Sequence, residues 1–447
     1  MDFPKAFRER MEALLGIDAP LFFESLEKEA VRSLRLNENI LSQEKLFSLL
    51  GLTEEDKISF SEKAYYFHLD KIGHTALHHS GAVYVQEPAA MAPVAALGSE
   101  KVTSFLDLCA APGGKSLQAA SSLLTEDGFF ISNEPSPVRR KALMQNIERL
   151  GEKRGAVTGF DAAKLPKEFY GLFDLVIADA PCSGEGMMRK NPDAVENWSL
   201  ENILTLSALQ KEILESAALA LAPGGRILYS TCTWAREEDE DNISSFLSRH
   251  PEFSLMEPDE KVQKIASPGL VPGTLRFYPH IFPGEGQFLA ILKKEGVKEE
   301  KTEKKKAKKE KQKKPDPKEK VVEDFFRENL SAVPEGNLIF RGDDAYLCPK
   351  TPLDPESMLS PGVILGTVQK GRLVPHHRFF RAYHNLFRNR FILEEGDERG
   401  EKYLKGEEIS LSGKGYGVLY LGTLPLGGVK ASGGRGKNLY PKGLRNQ

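Results

Sequence analysis

Two cysteines lie directly after apolar, strand-like segments of this chain. Cys182 ends the run Asp179-Ala-Pro-Cys, and Cys232 lies in Ser230-Thr-Cys-Thr. Ligands of open α/β sheets gather at the carboxyl ends of the strands. A thiol at such a position is placed to act as a nucleophile, and two thiols suggest a reaction with separate attack and release steps.

Composition limits the possible classes of protein. The 447 residues suffice for two or three domains, and a hydrophobic fraction of 40% with 28% charged residues is typical of a soluble globular protein. The four cysteines show no Cys-x-x-Cys spacing, so we expect neither a metal site nor a disulfide framework. No apolar run approaches the roughly 20 residues that span a bilayer, and the first residues lack the order of a signal peptide. We therefore expect a cytoplasmic protein without membrane association.

The net charge of −3 conceals a strong asymmetry along the chain. Residues 293–320 contain 14 Lys against six Glu and one Asp, and the last 18 residues contain five cations and no acid. A basic carboxyl-terminal part favours a polyanion as partner. We interpret the lysine-rich run itself as a solvated linker. The candidate contacts to the polyanion are the five terminal cations: Lys430, Arg435, Lys437, Lys442 and Arg445.

Hydrophobic periodicity divides the chain into regions. Residues 1–95 are predicted to be mostly helical, with helices over Phe3–Leu15 and Leu21–Leu34. Residues 96–294 alternate buried strands with helices, which predicts a doubly wound, Rossmann-like α/β sheet with an antiparallel pair at its edge. A flexible linker over 295–320 then leads to a small, glycine-rich α+β domain over 321–447.

A glycine-rich loop joins the first strand of the predicted sheet to its helix, over Leu106-Asp-Leu-Cys-Ala-Ala-Pro-Gly-Gly-Lys-Ser116. Its glycines allow a ligand to approach the backbone, although neither a GxGxxG nor a phosphate-loop spacing is present. The next strand ends at Glu134, where an acid can accept hydrogen bonds from ribose hydroxyls, and Asp161 follows the strand after it. Each acid alone is compatible with a surface or capping carboxylate. Their order favours S-adenosylmethionine over NAD as the cofactor.

Three segments carry a resemblance to a known family. Asp107-Leu-Cys-Ala-Ala-Pro-Gly-Gly-Lys, Asp179-Ala-Pro-Cys-Ser-Gly-Glu-Gly and Tyr229-Ser-Thr-Cys-Thr resemble, in order, the motifs of the Nol/Nop/Sun RNA (cytosine-5) methyltransferases. The resemblance implies methylation of carbon 5 of a cytosine in RNA. It also implies that S-adenosylmethionine is surrounded by ten residues: Cys109, Ala110, Ala111, Pro112, Gly113, Gly114, Lys115, Glu134, Asp161 and Asp179.

The same resemblance assigns roles to four side chains. Cys232 is the nucleophile that adds to carbon 6 of the cytosine, and Cys182 assists release of the methylated product. Asp179 contacts the ring-nitrogen edge of the base, and Lys115 positions the base or favours the thiolate. DNA cytosine-5 methyltransferases instead attack with the cysteine of a Pro-Cys motif, which would make Cys182 the nucleophile. The additional Thr-Cys motif favours the RNA type.

The carboxyl-terminal region resembles the bacterial ribosomal small-subunit methyltransferase F group, through Pro361–Arg372 and Leu424–Arg445. In that group the region is a PUA-like RNA-binding domain, so the resemblance implies 16S ribosomal RNA or the small subunit as partner. Lys190, after the Cys182 loop, is a further candidate RNA contact, and residues 1–95 are expected to contribute to RNA binding. A transfer RNA substrate, or a silent ribosome-assembly factor, stays an alternative. We expect a monomer.

Overall fold

The computed structural model describes residues 3–297 and 316–446. Most of the predicted linker over 295–320 therefore lies outside the described residues. Its last residues are helical, because a helix begins at Pro317. Asp316 caps this helix by accepting a hydrogen bond from the Lys318 amide, and proline at the first helical position favours a helix start.

Residues 3–95 combine helices with a small sheet. The helices are α1 to α5 (Lys5–Leu15, Ala19–Glu27, Gln43–Leu50, Ala76–His79 and Pro88–Ala95). The antiparallel strands are β1 to β3 (Ser33–Leu36, Ala64–Tyr66 and Val83–Val85), in the order β2-β1-β3.

The prediction of a single helix over Leu21–Leu34 was wrong in its second half. Helix α2 ends at Glu27, and Ser33 begins the central strand of the three-stranded sheet. Leu34 and Leu36 alternate with polar neighbours, which is the period of two that is typical of a strand. Burial of all four β1 residues between β2 and β3 therefore determines the local structure.

The central region carries a large sheet. Its helices are α6 to α11 (Gly114–Ser122, Pro137–Arg149, Pro192–Glu196, Leu200–Ala220, Glu240–Arg249 and Glu260–Gln263). Its strands are β4 to β12 (Val102–Asp107, Leu124–Asn133, Gly155–Thr158, Phe173–Asp179, Leu221–Thr231, Phe253–Met256, Ser267–Pro268, Thr274–Phe277 and Gln287–Lys294).

This nine-stranded sheet has the order β10-β11-β12-β8-β7-β4-β5-β6, and β9 also pairs with β12. Five neighbouring strands, in the order β8-β7-β4-β5-β6, are parallel to one another. Strands β11 and β12 form the predicted antiparallel pair. Apolar clusters cover both faces, as a parallel sheet requires. The strand order reverses between β4 and β7. The loops that follow these two strands therefore border the crevice where doubly wound sheets bind ligands.

The carboxyl-terminal region is α+β, as predicted. Its helices are α12 to α14 (Pro317–Asn329, His377–Ala382 and Glu398–Leu404). Its strands are β13 to β21 (Asn337–Arg341, Asp344–Cys348, Val363–Gln369, Arg372–Pro375, Arg390–Leu393, Ile409–Ser410, Gly415–Leu421, Leu424–Ser432 and Arg435–Asn438), arranged as a four-stranded and a five-stranded sheet. Across residues 3–297 and 316–446, none of the helices is both long and apolar enough to span a bilayer.

A buried arginine joins the three regions. The guanidinium of Arg381 in α13 donates to three main-chain carbonyls, those of Ser80 in the amino-terminal region, Arg149 in the central region and Pro425 in the carboxyl-terminal region. Only 1% of Arg381 is exposed. The guanidinium has five N–H donors in a fixed plane, so it can satisfy carbonyls that approach from several directions.

Substitution of Arg381 by methionine tests this junction. Arg381→Met keeps much of the apolar volume but leaves buried carbonyls without donors, each at a cost of about 1–3 kcal/mol. We expect the free energy of unfolding, measured by urea denaturation, to fall by about 3 kcal/mol or more. Arg390→Met is the matched control, because Arg390 is exposed and its guanidinium donates to the Asn385 carbonyl at 2.8 Å at the surface. Equal losses in both variants would contradict the role of Arg381.

Candidate active site

The two thiols that follow β7 and β8 lie side by side. These strands are parallel neighbours, and their register places Asp179 opposite Ser230. Both strands end at the same edge of the sheet, so the loops that follow them bring Cys182 and Cys232 together. Their Sγ atoms are 3.3 Å apart, and the Cys232 amide also donates to the Cys182 Sγ at 3.3 Å. A disulfide needs about 2.05 Å, so both are free thiols.

The four cysteines differ in their environments. The hydrogen bond with Cys232, together with burial, raises the pKa of the Cys182 thiol well above its usual value. Cys182 therefore keeps its proton at neutral pH. Burial raises the pKa of Cys109 well above its usual value and that of Cys348 to about 11. Cys109 and Cys348 are buried, whereas the pair at the strand ends is partly accessible, so this pair is the candidate for nucleophilic chemistry.

We call the segments that follow β7 and β8, which contain Cys182 and Cys232, the thiol loops. Asp179 and Lys115 connect the thiol loops to the glycine-rich loop. Lys115 Nζ lies 2.8 Å from Asp179 Oδ1, and the Ser230 hydroxyl donates to the same oxygen at 2.7 Å. The Lys115 side chain is 9% exposed, whereas that of Asp179 is 34% exposed and can still contact a ligand. At the end of β4, burial, together with the charge of Asp179, raises the pKa of Asp107 to about 7.

The glycine-rich loop over 109–115 depends on a glycine at its centre. Gly113 has φ = 110°, and a Cβ at this position would lie 3.2 Å from the Leu143 side chain. Both the backbone conformation and the space therefore favour glycine. Helix α7 fixes the loop from the other side, where Arg139 donates to the Ala111 carbonyl at 2.9 Å.

Glu134 and Asp161 follow the neighbouring strands β5 and β6. Glu134 is 1% exposed, and its Oε1 accepts from the Ser136 amide at 2.9 Å. Within the described part of the chain its Oε2 has no hydrogen-bond donor, and Arg139 Nη1 lies 3.5 Å away. A buried acceptor in this state is costly and suits a ribose hydroxyl. Asp161 is half exposed and lies 3.4 Å from Lys164 Nζ.

The loop of Cys182 is held by Glu238, which sequence reasoning did not identify. Glu238 is completely buried, and burial raises its pKa to about 7. Its carboxylate accepts from the Ser183 amide at 3.0 Å and from Gln210 Nε2 at 2.7 Å. Gln210 Nε2 also donates to the Pro181 carbonyl at 2.8 Å. The residues on both sides of Cys182 are thus fixed by the same pair of side chains.

The loop of Cys232 is held in turn by Glu185, a residue of the Cys182 loop. Glu185 Oε2 accepts from the Thr233 hydroxyl at 2.9 Å and from the Trp234 amide at 3.0 Å. We call Glu185 and Glu238 the carboxylate clamp, because each acid comes from one thiol loop and binds the other. Both lie within six residues of a cysteine, which was the available signal in the sequence.

Two of the predicted RNA contacts lie in a row on one sheet. Tyr416, Lys430 and Lys437 are opposite one another on β19, β20 and β21, and Lys430 Nζ lies 4.7 Å above the Tyr416 ring. Both lysines are exposed. Lys190 is elsewhere, beside the thiol loops, and its Nζ is 3.3 Å from a carboxylate oxygen of the buried Glu285.

The other three predicted contacts differ in accessibility. Arg435 is exposed, 3.8 Å from Glu408, and Lys442 is exposed in a short 3₁₀ helix. Arg445 is half-buried and donates to the Tyr440 carbonyl at 3.3 Å. Among residues 3–297 and 316–446, no group of three or more His, Cys, Asp or Glu side chains is arranged to hold a metal ion.

Comparison with known proteins identifies the family. The model of the 16S rRNA methyltransferase RsmB/F family matches residues 94–293. Models of the RsmF N-terminal domain and of the methyltransferase RsmF PUA domain match residues 3–88 and 390–446. The ribosomal RNA small subunit methyltransferase F of Shewanella oneidensis is 31% identical over 465 aligned positions, which cover 99% of this chain and 96% of that protein. This chain belongs to the ribosomal RNA small subunit methyltransferase F family. The resemblance of its carboxyl-terminal region to the F group is thereby confirmed.

Other relatives support the assignment of the fold. The methyltransferase F of Serratia proteamaculans is 35% identical over 305 positions, 65% of this chain and 63% of that protein. The crystal structure of PH0851 superposes with a TM-score of 0.60 and 32% identity over 65% of this chain and 66% of that one. NSun6 from Pyrococcus horikoshii, solved with SFG, shares the fold with a TM-score of 0.57 and 23% identity over 66% of this chain and 99% of its own. The predicted Rossmann-like methyltransferase sheet and PUA-like domain are confirmed.

Removal of one clamp carboxylate tests its importance for RNA methylation. Glu238→Ala leaves the Ser183 amide without its acceptor, so the Cys182 loop loses its fixed position. A misplacement of about 1 Å can cost about 100-fold in rate. We expect kcat to fall by about this factor, with the affinity for S-adenosylmethionine unchanged.

Glu237→Ala is the matched control for this experiment. Glu237 is the preceding residue in the chain, but it is partly exposed and forms a bidentate ion pair with Arg10. We expect near-normal kcat in this variant, because the Glu237 carboxylate binds Arg10 and does not hold the Cys182 loop. Wild-type kcat in Glu238→Ala would show that the clamp is dispensable.

Proposed function

We propose that this protein methylates carbon 5 of a cytosine in 16S ribosomal RNA, with S-adenosylmethionine as methyl donor. The observation that carries the proposal is the contact between Cys182 and Cys232, 3.3 Å apart at the ends of adjacent strands. A reaction that needs both covalent attack and assisted elimination accounts for two thiols in one site. The names of the relatives, ribosomal RNA small subunit methyltransferase F, support the choice of RNA.

The chemistry follows from the weak nucleophilicity of cytosine carbon 5. Addition of the Cys232 thiolate to carbon 6 forms a sulfur–carbon bond and moves an electron pair onto carbon 5, which then takes the methyl group. Solvent water next takes the proton from carbon 5, and the electron pair of that carbon–hydrogen bond restores the double bond between carbons 5 and 6. The sulfur–carbon bond breaks at the same time, and its electron pair returns to Cys232. Asp179, partly exposed beside the thiols, contacts the ring-nitrogen edge of the base.

The protonation of Cys182 supports the division of labour. The raised pKa of Cys182 keeps this thiol protonated, so it donates to Cys232 rather than competing as the attacking thiolate. In the elimination step Cys182 is already within hydrogen-bond distance of the sulfur that must leave. Lys115 carries the opposite charge to Asp179, and their contact at 2.8 Å fixes both side chains before a base arrives.

The residues around the glycine-rich loop fit the cofactor. S-adenosylmethionine, when bound, supplies an electrophilic methyl group. Glu134 Oε2, buried and without a hydrogen-bond donor in the described chain, is suited to a ribose hydroxyl. Gly113 leaves the backbone of the loop open to the ligand, and Asp161 remains accessible at the end of the next strand for the adenine amino group.

The carboxyl-terminal domain supplies a surface for the RNA backbone. Lys430 and Lys437 are adjacent across two strands, and Tyr416 completes the row. Cations with an interleaved aromatic ring bind phosphates and stack on unpaired bases. Arg435 and Lys442, both exposed, extend this charge. The row therefore positions RNA, while the choice of base is made at the thiols.

Covalent trapping tests the assignment of the thiols. Cys232→Ala removes the nucleophile, so we expect no covalent protein–RNA adduct and no methyl transfer. Cys182→Ala retains attack but slows elimination, so an adduct that survives denaturation should accumulate on gels. Cys348→Ala, a buried thiol away from the site, should resemble the wild type. An adduct in Cys232→Ala would reverse the two roles and make Cys182 the nucleophile.

Bisulfite sequencing of total RNA from a deletion strain tests the substrate. We expect loss of one 5-methylcytosine in 16S ribosomal RNA, restored by the wild-type gene but not by Cys232→Ala. Loss in a transfer RNA would favour the alternative substrate. A catalytically silent assembly factor predicts no change in either RNA, together with no binding of S-adenosylmethionine by calorimetry.

A further inference from the structure

A cavity of about 220 Å³ with a mixed apolar and charged lining lies between the amino-terminal sheet and the central domain. Its walls include Arg32 and Ser33 at the start of β1, Val85 and Gln86 at the end of β3, and Lys190 after the Cys182 loop. The volume is that of about seven water molecules in the liquid, at about 30 Å³ each. The cavity therefore has room for one planar heterocycle and not for an extended segment of RNA.

One wall of the cavity is joined to the glycine-rich loop. Gln86 Oε1 accepts from Arg35 Nε at 2.8 Å, and the same guanidinium donates to the Gly114 carbonyl at 3.0 Å. A Cβ on Gly114 would lie 3.2 Å from the Gln86 amide, so the loop packs directly on this wall. Gln86 is buried, which makes the wall a fixed surface.

The opposite wall is joined to the thiol loops. Lys190 Nζ is 3.3 Å from Glu285, and the Glu285 amide donates to Glu87 at 2.7 Å. The following residue, Gly286, donates to the Gly186 carbonyl at 3.3 Å, and the Gly186 amide donates to the Cys232 carbonyl at 2.9 Å. The cavity is therefore connected through short contacts to both the nucleophile and the cofactor loop.

The lining groups define the chemistry of a ligand. Arg32 and Lys190 together carry up to eight N–H donors, and each has one carboxylate partner among the contacts in the structure. Both carboxylate oxygens of Glu87 already accept main-chain amides at 2.7 Å. Glu29 adds one exposed carboxylate to the lining. The N–H donors of Arg32 and Lys190 still outnumber the carboxylate oxygens that remain for a ligand. Val85, 40% exposed, adds an apolar surface. A ligand that suits this lining has acceptor oxygens and one flat apolar face.

We propose that this cavity binds the unpaired nucleotide next to the target cytosine, and so determines which sequence is methylated. The inference rests on the proposed function. A base that is flipped out of its stack leaves its neighbour unstacked, and proteins recognise such bases through pockets and stacking surfaces. The neighbour's base lies on Val85, and its phosphate contacts Arg32 and Lys190. The cavity and the thiols then bind adjacent nucleotides of the same RNA strand.

The inference is tested by combining a variant that fills the cavity with RNAs that lack the base of one nucleotide beside the target cytosine. Val85→Trp occupies the apolar wall, and short RNAs around the mapped cytosine carry an abasic ribose at one flanking position at a time. In the wild type we expect one flanking position to raise the KM for RNA about tenfold, which is within the range of one stacked base. In Val85→Trp we expect a similarly raised KM that this abasic substitution does not raise further.

Val374→Trp is the matched control, since Val374 is 47% exposed on the edge strand β16 and lies outside the cavity. It should keep the wild-type response to the abasic series. If Val85→Trp fails to fold, Val85→Ala replaces it, because it removes the apolar surface under the base and should cause the same loss of response. Additive effects of the variant and the abasic position would overturn the proposal, as would a wild type that tolerates every flanking substitution. Failure of the proposed function is distinct, because no RNA of the series would then be methylated by the wild type.

Discussion

The parallel pairing of β7 with β8 is the constraint on which the active site depends. Two parallel neighbours must end at the same edge of a sheet, and their register sets Asp179 beside Ser230. A shift of one residue would turn Ser230 and its neighbours to the opposite face of the sheet and separate the two thiols. The buried apolar faces of both strands fix this register, so the core of the domain determines the distance between Cys182 and Cys232.

The carboxylate clamp adds precision that the strands alone cannot provide. Both thiols lie beyond the strand ends, where backbone groups no longer have sheet partners. Glu185 and Glu238 supply the missing acceptors, and each acid ties its own loop to the other. Burial disfavours the charged form of Glu238 and raises the pKa of this carboxyl to about 7. Active sites tolerate such a loss of folding stability, because the fixed geometry that results lowers the barrier of the reaction.

The junction at Arg381 has consequences for the way in which RNA is held. Separate RNA-binding modules on flexible tethers bind with an effective concentration set by their linkers. Here, besides Arg381, the His79 ring lies 2.7 Å from the Tyr440 hydroxyl and 2.8 Å from Asn446 Oδ1, so the two terminal regions contact each other directly. The exposed row of Lys430 and Lys437 is thus attached to the catalytic sheet through buried contacts, at a distance set by the fold.

The sequence by itself determined the local features: the parallel strands, the glycine-rich loop and the family motifs that contain Cys182 and Cys232. These depend on neighbouring residues, so their signals are readable in order. The end of α2, the clamp and the cavity beside Lys190 were decided by tertiary structure, because each depends on partners distant in the chain. Burial of β1 between two strands overrode a helical pattern, and Glu238 gained its role from an amide 55 residues away. Hydrophobic periodicity reports which face is buried, but not which polar groups meet there.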